Sequence, residues 1–188
     1  MCKNLVEVTV EITQYCPYEC KYCSSNASPK GKHLKKGRIL LFLKDLKNVT
    51  RINISGGEPL SHPDFYEILE KCYEITPKVW VYSNVIKNLI FNSDIIEEVN
   101  VEANTVVVPG ETIYIPKKVD KVHLLKLVHQ GRAKNLPKTE VKVSSNFKDC
   151  TRSCNECSHL LLQADGQIVQ APCTKKYRSE KELKQKYL

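Results

Sequence analysis

Residues 5–23 read LVEVTVEITQYCPYECKYC, and residues 51–59 read RINISGGEP. In the first stretch apolar and polar residues alternate over a β-branched run, the pattern of a strand with one buried face. That strand ends at a loop holding Cys16, Cys20 and Cys23. In the second, a shorter strand over 51–55 runs straight into Gly56-Gly57-Glu58-Pro59. Between the two, Ile39, Leu40, Leu43 and Leu46 recur at helical spacing. Beyond them Phe65, Ile68, Leu69 and Cys72 mark another helical face, with Ser61 and Pro63 as its start signal. KVWVY at 78–82 reads as a third strand, VNVEANTVVV within 94–108 as two more short β-rich runs, and VHLLKLV at 122–128 as a sixth. Strands alternating with helices predict an α/β fold with a parallel sheet and right-handed crossovers.

A closed eight-unit barrel takes about 250 residues and rarely fewer than about 200, whereas only about 130 positions here carry the alternation. The span from Asn84 to Pro109 is too short for two full strand-helix units, so at least one helix is expected to be short or missing. The expectation is therefore a partial, open TIM-like barrel over 1–132. Past Gly131 the chain turns polar and cysteine-bearing, which places a boundary near residue 132 and a small C-terminal extension over 133–188. No internal repeat is visible.

Nine cysteines, at 2, 16, 20, 23, 72, 150, 154, 157 and 173, are too few in 188 residues for a disulfide scaffold, and an odd number fits complete pairing poorly. The opening MCKNLVEVTV has no apolar leader core, and no run reaches the roughly 18 apolar residues of a membrane span. A cytoplasmic protein is expected, where clustered cysteines bind metal or do redox work. The net charge of +8 is carried mainly by residues 30–47, 117–148 and 175–186. Such patches suit nucleic acid or a phosphorylated substrate, but few aromatics interleave, so a solvated lysine-rich surface explains them as well.

Cys16-x3-Cys20-x2-Cys23 offers three thiolates within eight residues. Three thiolates hold three corners of a 4Fe–4S cubane and leave one iron open, where a ferredoxin-type site would add a fourth cysteine. The alternative is a zinc knuckle or buried thiols, with His33 the distant candidate for a fourth ligand. With aromatic Tyr22 before the last cysteine, and with Ser55-Gly-Gly-Glu-Pro59 closing the second strand, the chain resembles the radical S-adenosylmethionine (SAM) superfamily in both its motifs and their order.

That resemblance implies a cluster held by Cys16, Cys20 and Cys23 whose open iron chelates SAM, one-electron cleavage to a 5′-deoxyadenosyl radical, and hydrogen abstraction from substrate. It implies that Gly56, Gly57, Glu58 and Pro59 line the methionine amino group, that Tyr22 lies beside the adenine, and that Ser83 and Asn84 stand near SAM. Val128-His129-Gln130-Gly131 is similar to the segment passing the adenine in glycyl-radical activating enzymes. A reducing partner such as ferredoxin or flavodoxin follows. Beyond the cluster no catalytic residue is assigned.

Cys150-x3-Cys154-x2-Cys157 and then Cys173 form a second set. Between its last two members Asp165-Gly166 separates two apolar runs, a hairpin signal that sets Gln163 opposite Ile168 and Ser158 opposite Cys173. By spacing alone structural zinc is a fair reading. The region is also similar to the C-terminal cluster region of the molybdenum-cofactor GTP cyclase and to twitch and SPASM extensions, which implies an auxiliary 4Fe–4S cluster. Here Cys150 would be a fourth ligand, and neither the cyclase's length nor its arginine-bearing C-terminus is present, so GTP cyclisation is not carried over. Cys2 and Cys72 read as ordinary thiols. Three functions stay open: a radical SAM enzyme acting on a peptide or protein, one acting on a nucleotide or RNA, and an iron–sulfur electron-transfer module without turnover.

Overall fold

Alternation in VEVTVEIT sends Val6, Val8, Val10 and Ile12 to one face of β1 (Val6–Thr13), where all four are buried. The computed structural model describes residues 6–84, 102–107, 121–126, 131–137 and 159–170. β2 (Val49–Gly56) lies parallel to β1 with Val8 beside Ile52 and Val10 beside Ile54, so the apolar face continues across the pair. β3 (Val79–Val81) lies parallel to β2 and is shorter than the expected 78–82.

Two helices complete this core. α1 (Lys36–Lys44) buries Ile39, Phe42 and Leu43. Phe42 takes the place expected for Leu40 and Leu46, because the helix stops at Lys44 and only the 39, 42, 43 stripe faces inward. α2 (Phe65–Ile75) buries Phe65, Ile68, Leu69 and Cys72 as expected, and packs on α1, β2 and β3. A fully buried side chain of this size contributes about 1.5–3 kcal/mol. Burial pushes the Cys72 thiol up to about 12.

The hairpin around Asp165-Gly166 forms as β6 (His159–Leu162) and β7 (Ile168–Gln170). Its register is one residue from the expected one: Leu162, not Gln163, faces Ile168, and Gln163 donates instead to the Gln167 carbonyl at 2.8 Å. The loop thus has three residues, with Gly166 at φ +89°, where a two-residue turn was expected. β6 runs parallel to β1 on the side away from β2, giving the order β3-β2-β1-β6-β7, so the segment read as an extension supplies two strands of the main sheet.

Polar side chains tie it there. His159 Nε2 and Thr9 Oγ1 share a 2.7 Å hydrogen bond, and Arg38 donates twice to the Gly166 carbonyl, at 2.8 and 3.2 Å. The Glu7 carboxylate accepts from Arg51 and, at 3.0 Å, from Asn53. Burial pulls that carboxyl upward, but the Arg51 and Asn53 hydrogen bonds and the charges of His159 and Arg51 outweigh it and hold it below the ordinary range.

β4 (Glu102–Val107) and β5 (Lys121–Lys126) pair in parallel as a separate two-stranded sheet, where the sequence placed a β-rich run and the sixth strand. By contacts the chain divides into two compact units, one from Met1–Glu19, Ala27–Val85 and Arg152–Leu188 and the other from Cys20–Asn26 and Ile86–Thr151. No helix among the described residues is long and apolar enough to cross a membrane.

Candidate functional site

In the first unit the cysteine loop is pinched at its base. Cys16 N–H donates to the Ser28 carbonyl at 3.0 Å, and Ser28 N–H donates to the Gln14 carbonyl at 3.2 Å. Cys16 is 7% exposed, and its thiol donates to the Tyr18 carbonyl at 3.4 Å. The end of β2 packs directly on this base: Gly57 N–H donates to the Thr13 carbonyl at 2.6 Å and Glu58 N–H to the Tyr15 carbonyl at 2.8 Å. Gly56 sits at φ +130°, and a Cβ on Gly57 would overlap the Tyr15 carbonyl and stand 3.1 Å from the Cys16 Cβ. Only glycine lets the two strand ends meet this closely.

Glu58 is 2% exposed, and both oxygens of its carboxylate accept from this chain's own donors. Oε1 accepts from Leu60 N–H at 3.1 Å and from Ser83 Oγ at 2.8 Å, while Oε2 accepts from Asn84 N–H at 3.0 Å. It caps the short 3-10 turn Pro59–Ser61 and fastens the chain after β3 to the Gly-Gly segment. Ser83 and Asn84, expected near SAM, are thus brought onto Glu58. Thr13, buried and not singled out by the sequence, accepts from Tyr15 N–H at 2.9 Å and bonds His33 Nδ1 at 2.9 Å.

In the second unit Cys20 to Cys23 form a turn, with Cys23 N–H donating to the Cys20 carbonyl at 3.1 Å. The Cys23 thiol lies 3.3 Å from Ser25 Oγ, and Tyr22 is exposed. Gly131 and Arg132 pack on this turn. Arg132 N–H donates to the Cys23 carbonyl at 3.0 Å, and Arg132 Nε donates to the Cys20 carbonyl at 2.8 Å. The sequence pointed to Gly131 but not to its neighbour Arg132. Cys16, Cys20, Cys23 and Cys72 carry thiols rather than disulfides. Among the described residues no three His, Cys, Asp or Glu side chains are grouped closely enough to hold a metal ion. His129, Cys150, Cys154, Cys157 and Cys173 lie outside the described residues.

A model of the Radical SAM superfamily matches residues 10–123, which takes in both motifs and more than half of the chain. The chain belongs to the radical SAM superfamily. Membership implies a 4Fe–4S cluster and SAM as cofactors. This radical SAM chain is 34% identical over 85 residues to PqqA peptide cyclase of Methylorubrum extorquens (strain PA1), a match covering 43% of this chain and 21% of that protein. It is 35% identical over 81 residues to the S-adenosylmethionine-dependent nucleotide dehydratase of Selenomonas ruminantium, covering 42% of this chain and 29% of that protein. Over 102 residues it is 26% identical to PqqA peptide cyclase of Gluconobacter oxydans, covering 52% and 26%. The matched stretch therefore spans less than a third of each of these relatives.

Proposed function

We propose that Cys16, Cys20 and Cys23 hold a 4Fe–4S cluster with one iron open to SAM, and that the enzyme uses it to take a hydrogen atom from a peptide or protein. The observation that carries this reading is the hydrogen-bonded join between the two motifs, Gly57 to Thr13 and Glu58 to Tyr15, which seats the Gly-Gly-Glu-Pro segment against the base of the cysteine loop. The donor set fits the group: three thiols in eight residues, none tied in a disulfide, are a ligand set for an iron–sulfur cluster and one short of a closed site. When bound, the pair supplies one-electron cleavage of the SAM sulfonium and hydrogen abstraction from substrate.

The chain's own residues position that chemistry. With three donors already on the Glu58 carboxylate, and Ser61 and His62 donating to the Glu58 and Pro59 carbonyls, we assign the SAM ammonium to the glycine carbonyls of the Gly56 to Pro59 segment, with Glu58, Ser83 and Asn84 fixing their direction. Tyr22 and His129 are assigned to the adenine side.

Cys150, Cys154, Cys157 and Cys173 complete the reading as an auxiliary, twitch-like cluster in a region over 133–188 beside a barrel over 1–132. In support, Cys157 comes two positions before β6 in the sequence and Cys173 three positions after β7, and the hairpin of these two strands joins β1. Zinc is the alternative occupant. The peptide cyclase relatives favour a peptide substrate, and the nucleotide dehydratase relative favours the second reading, a nucleotide.

Anaerobic reconstitution tests the whole: about eight irons per chain and dithionite-dependent 5′-deoxyadenosine are expected. A loaded chain that forms none overturns the enzyme reading, and about four irons plus one zinc assigns zinc to the second set.

A further inference from the structure

The turn from Cys20 to Cys23 is closed by a hydrogen bond from Cys23 N–H to the Cys20 carbonyl. Arg132, 112 residues further along the chain than Cys20, adds two more. Its guanidinium Nε donates to the same Cys20 carbonyl at 2.8 Å, and its main-chain N–H donates to the Cys23 carbonyl at 3.0 Å. One residue therefore holds the carbonyls of both cysteines, using the guanidinium Nε on one and the backbone on the other.

The approach has been built in by the residues on either side. Gly131 sits at φ +54°, and a Cβ there would stand 2.5 Å from the Ser24 carbonyl oxygen and 2.7 Å from that of Cys23. Any other residue would push Arg132 off the turn. Ala133 is fully buried, and Leu136 N–H donates to its carbonyl at 3.1 Å, closing the short 3-10 turn Gly131–Asn135 that carries Arg132.

We propose that Arg132 is a positioning residue for the cluster, setting the spacing of the Cys20 and Cys23 thiolates and placing a fixed positive charge beside them. This rests on the reading of those cysteines as cluster ligands. Partners that orient metal ligands commonly govern how tightly the metal is held, and removing one weakens binding about 10–100-fold. A cation close to a cluster favours its more negative, reduced state, so Arg132 raises the reduction potential.

The test compares wild type, R132K and R132Q after anaerobic reconstitution. Two quantities are read: the rate of iron loss to a chelator, and the potential at which the SAM-sensitive electron paramagnetic resonance (EPR) signal of the reduced cluster develops. R132Q is expected to lose iron about tenfold faster or more and to reduce at a more negative potential. R132K, which keeps the charge without the guanidinium fork, is expected to restore the potential but not the iron retention. Wild-type retention and potential in R132Q overturn the proposal and leave the cluster reading standing. A wild-type chain with no SAM-sensitive signal overturns both.

Discussion

At the base of the cysteine loop Gly56 and Gly57 press on Thr13, Tyr15 and Cys16, and at its tip Gly131 presses on Cys23 and Ser24. Both supports put glycine where a side chain would collide with a carbonyl, and both fix the loop through main-chain hydrogen bonds. They differ in the charge behind the glycine. At the base it is Glu58, a buried anion whose oxygens accept from Leu60, Ser83 and Asn84. At the tip it is Arg132, a cation that donates to the loop itself. The base support is part of the sheet and bears on folding, whereas the tip support holds the carbonyls of the cysteine turn and bears on what the turn holds.

The sharpest way to break this contrast is to put the same methyl group at each end. Gly57→Ala should cost about 3 kcal/mol or more and lower Tm by roughly 6 °C or more, because the Tyr15 carbonyl and Cys16 are both in the way. Gly131→Ala adds a left-handed penalty of about 1–2 kcal/mol, roughly 2–8 °C in Tm, to a collision with the Ser24 and Cys23 carbonyls, and the displaced turn should show as iron loss after reconstitution. Equal thermal losses would mean that the tip is as much part of the core as the base.

Glu58→Gln comes next, with an expected loss of about 1–3 kcal/mol, since the amide group then faces one of the donors that the carboxylate had accepted. Calorimetry and SAM binding separate its roles. A lower Tm with near-normal SAM affinity fits an orienting residue, whereas weaker SAM binding at unchanged Tm would place the carboxylate on the ligand.

The smallest effect concerns the polar face of the sheet. The Glu7 carboxyl lies below its unfolded value of 4.5, so its contribution to stability is present above about pH 4.5 and is lost as pH falls through the folded value. The Tm difference between wild type and Glu7→Gln should therefore be constant above that pH and shrink on acidification. A difference that grew on acidification would reverse the sign.

Much of the first unit is legible in the sequence because its signals are local. The period-2 alternation of residues 6–13 dictates which face of β1 is buried, and the helical period picks out Phe65, Ile68, Leu69 and Cys72. Phe42 was missed because apolar residues surround α1 on several sides and the stop at Lys44 decides which of them face in. The hairpin is announced by Asp165-Gly166, but the three-residue loop moved its register by one, and nothing in HLLL says that β1 is its partner. The two motifs marked the candidate site, while the partner of Glu58 at Ser83 and the grip of Arg132 on Cys20 join positions 25 and 112 residues apart, which no local pattern encodes.

Whether three cysteines leave one iron free for SAM is read from the EPR spectrum of the reduced, reconstituted chain before and after adding SAM. A spectrum that changes on addition, and that is lost in Cys16→Ala, Cys20→Ala and Cys23→Ala alike, is the predicted result. A reduced cluster whose spectrum ignores SAM, or that survives loss of any one of the three thiols, would contradict it.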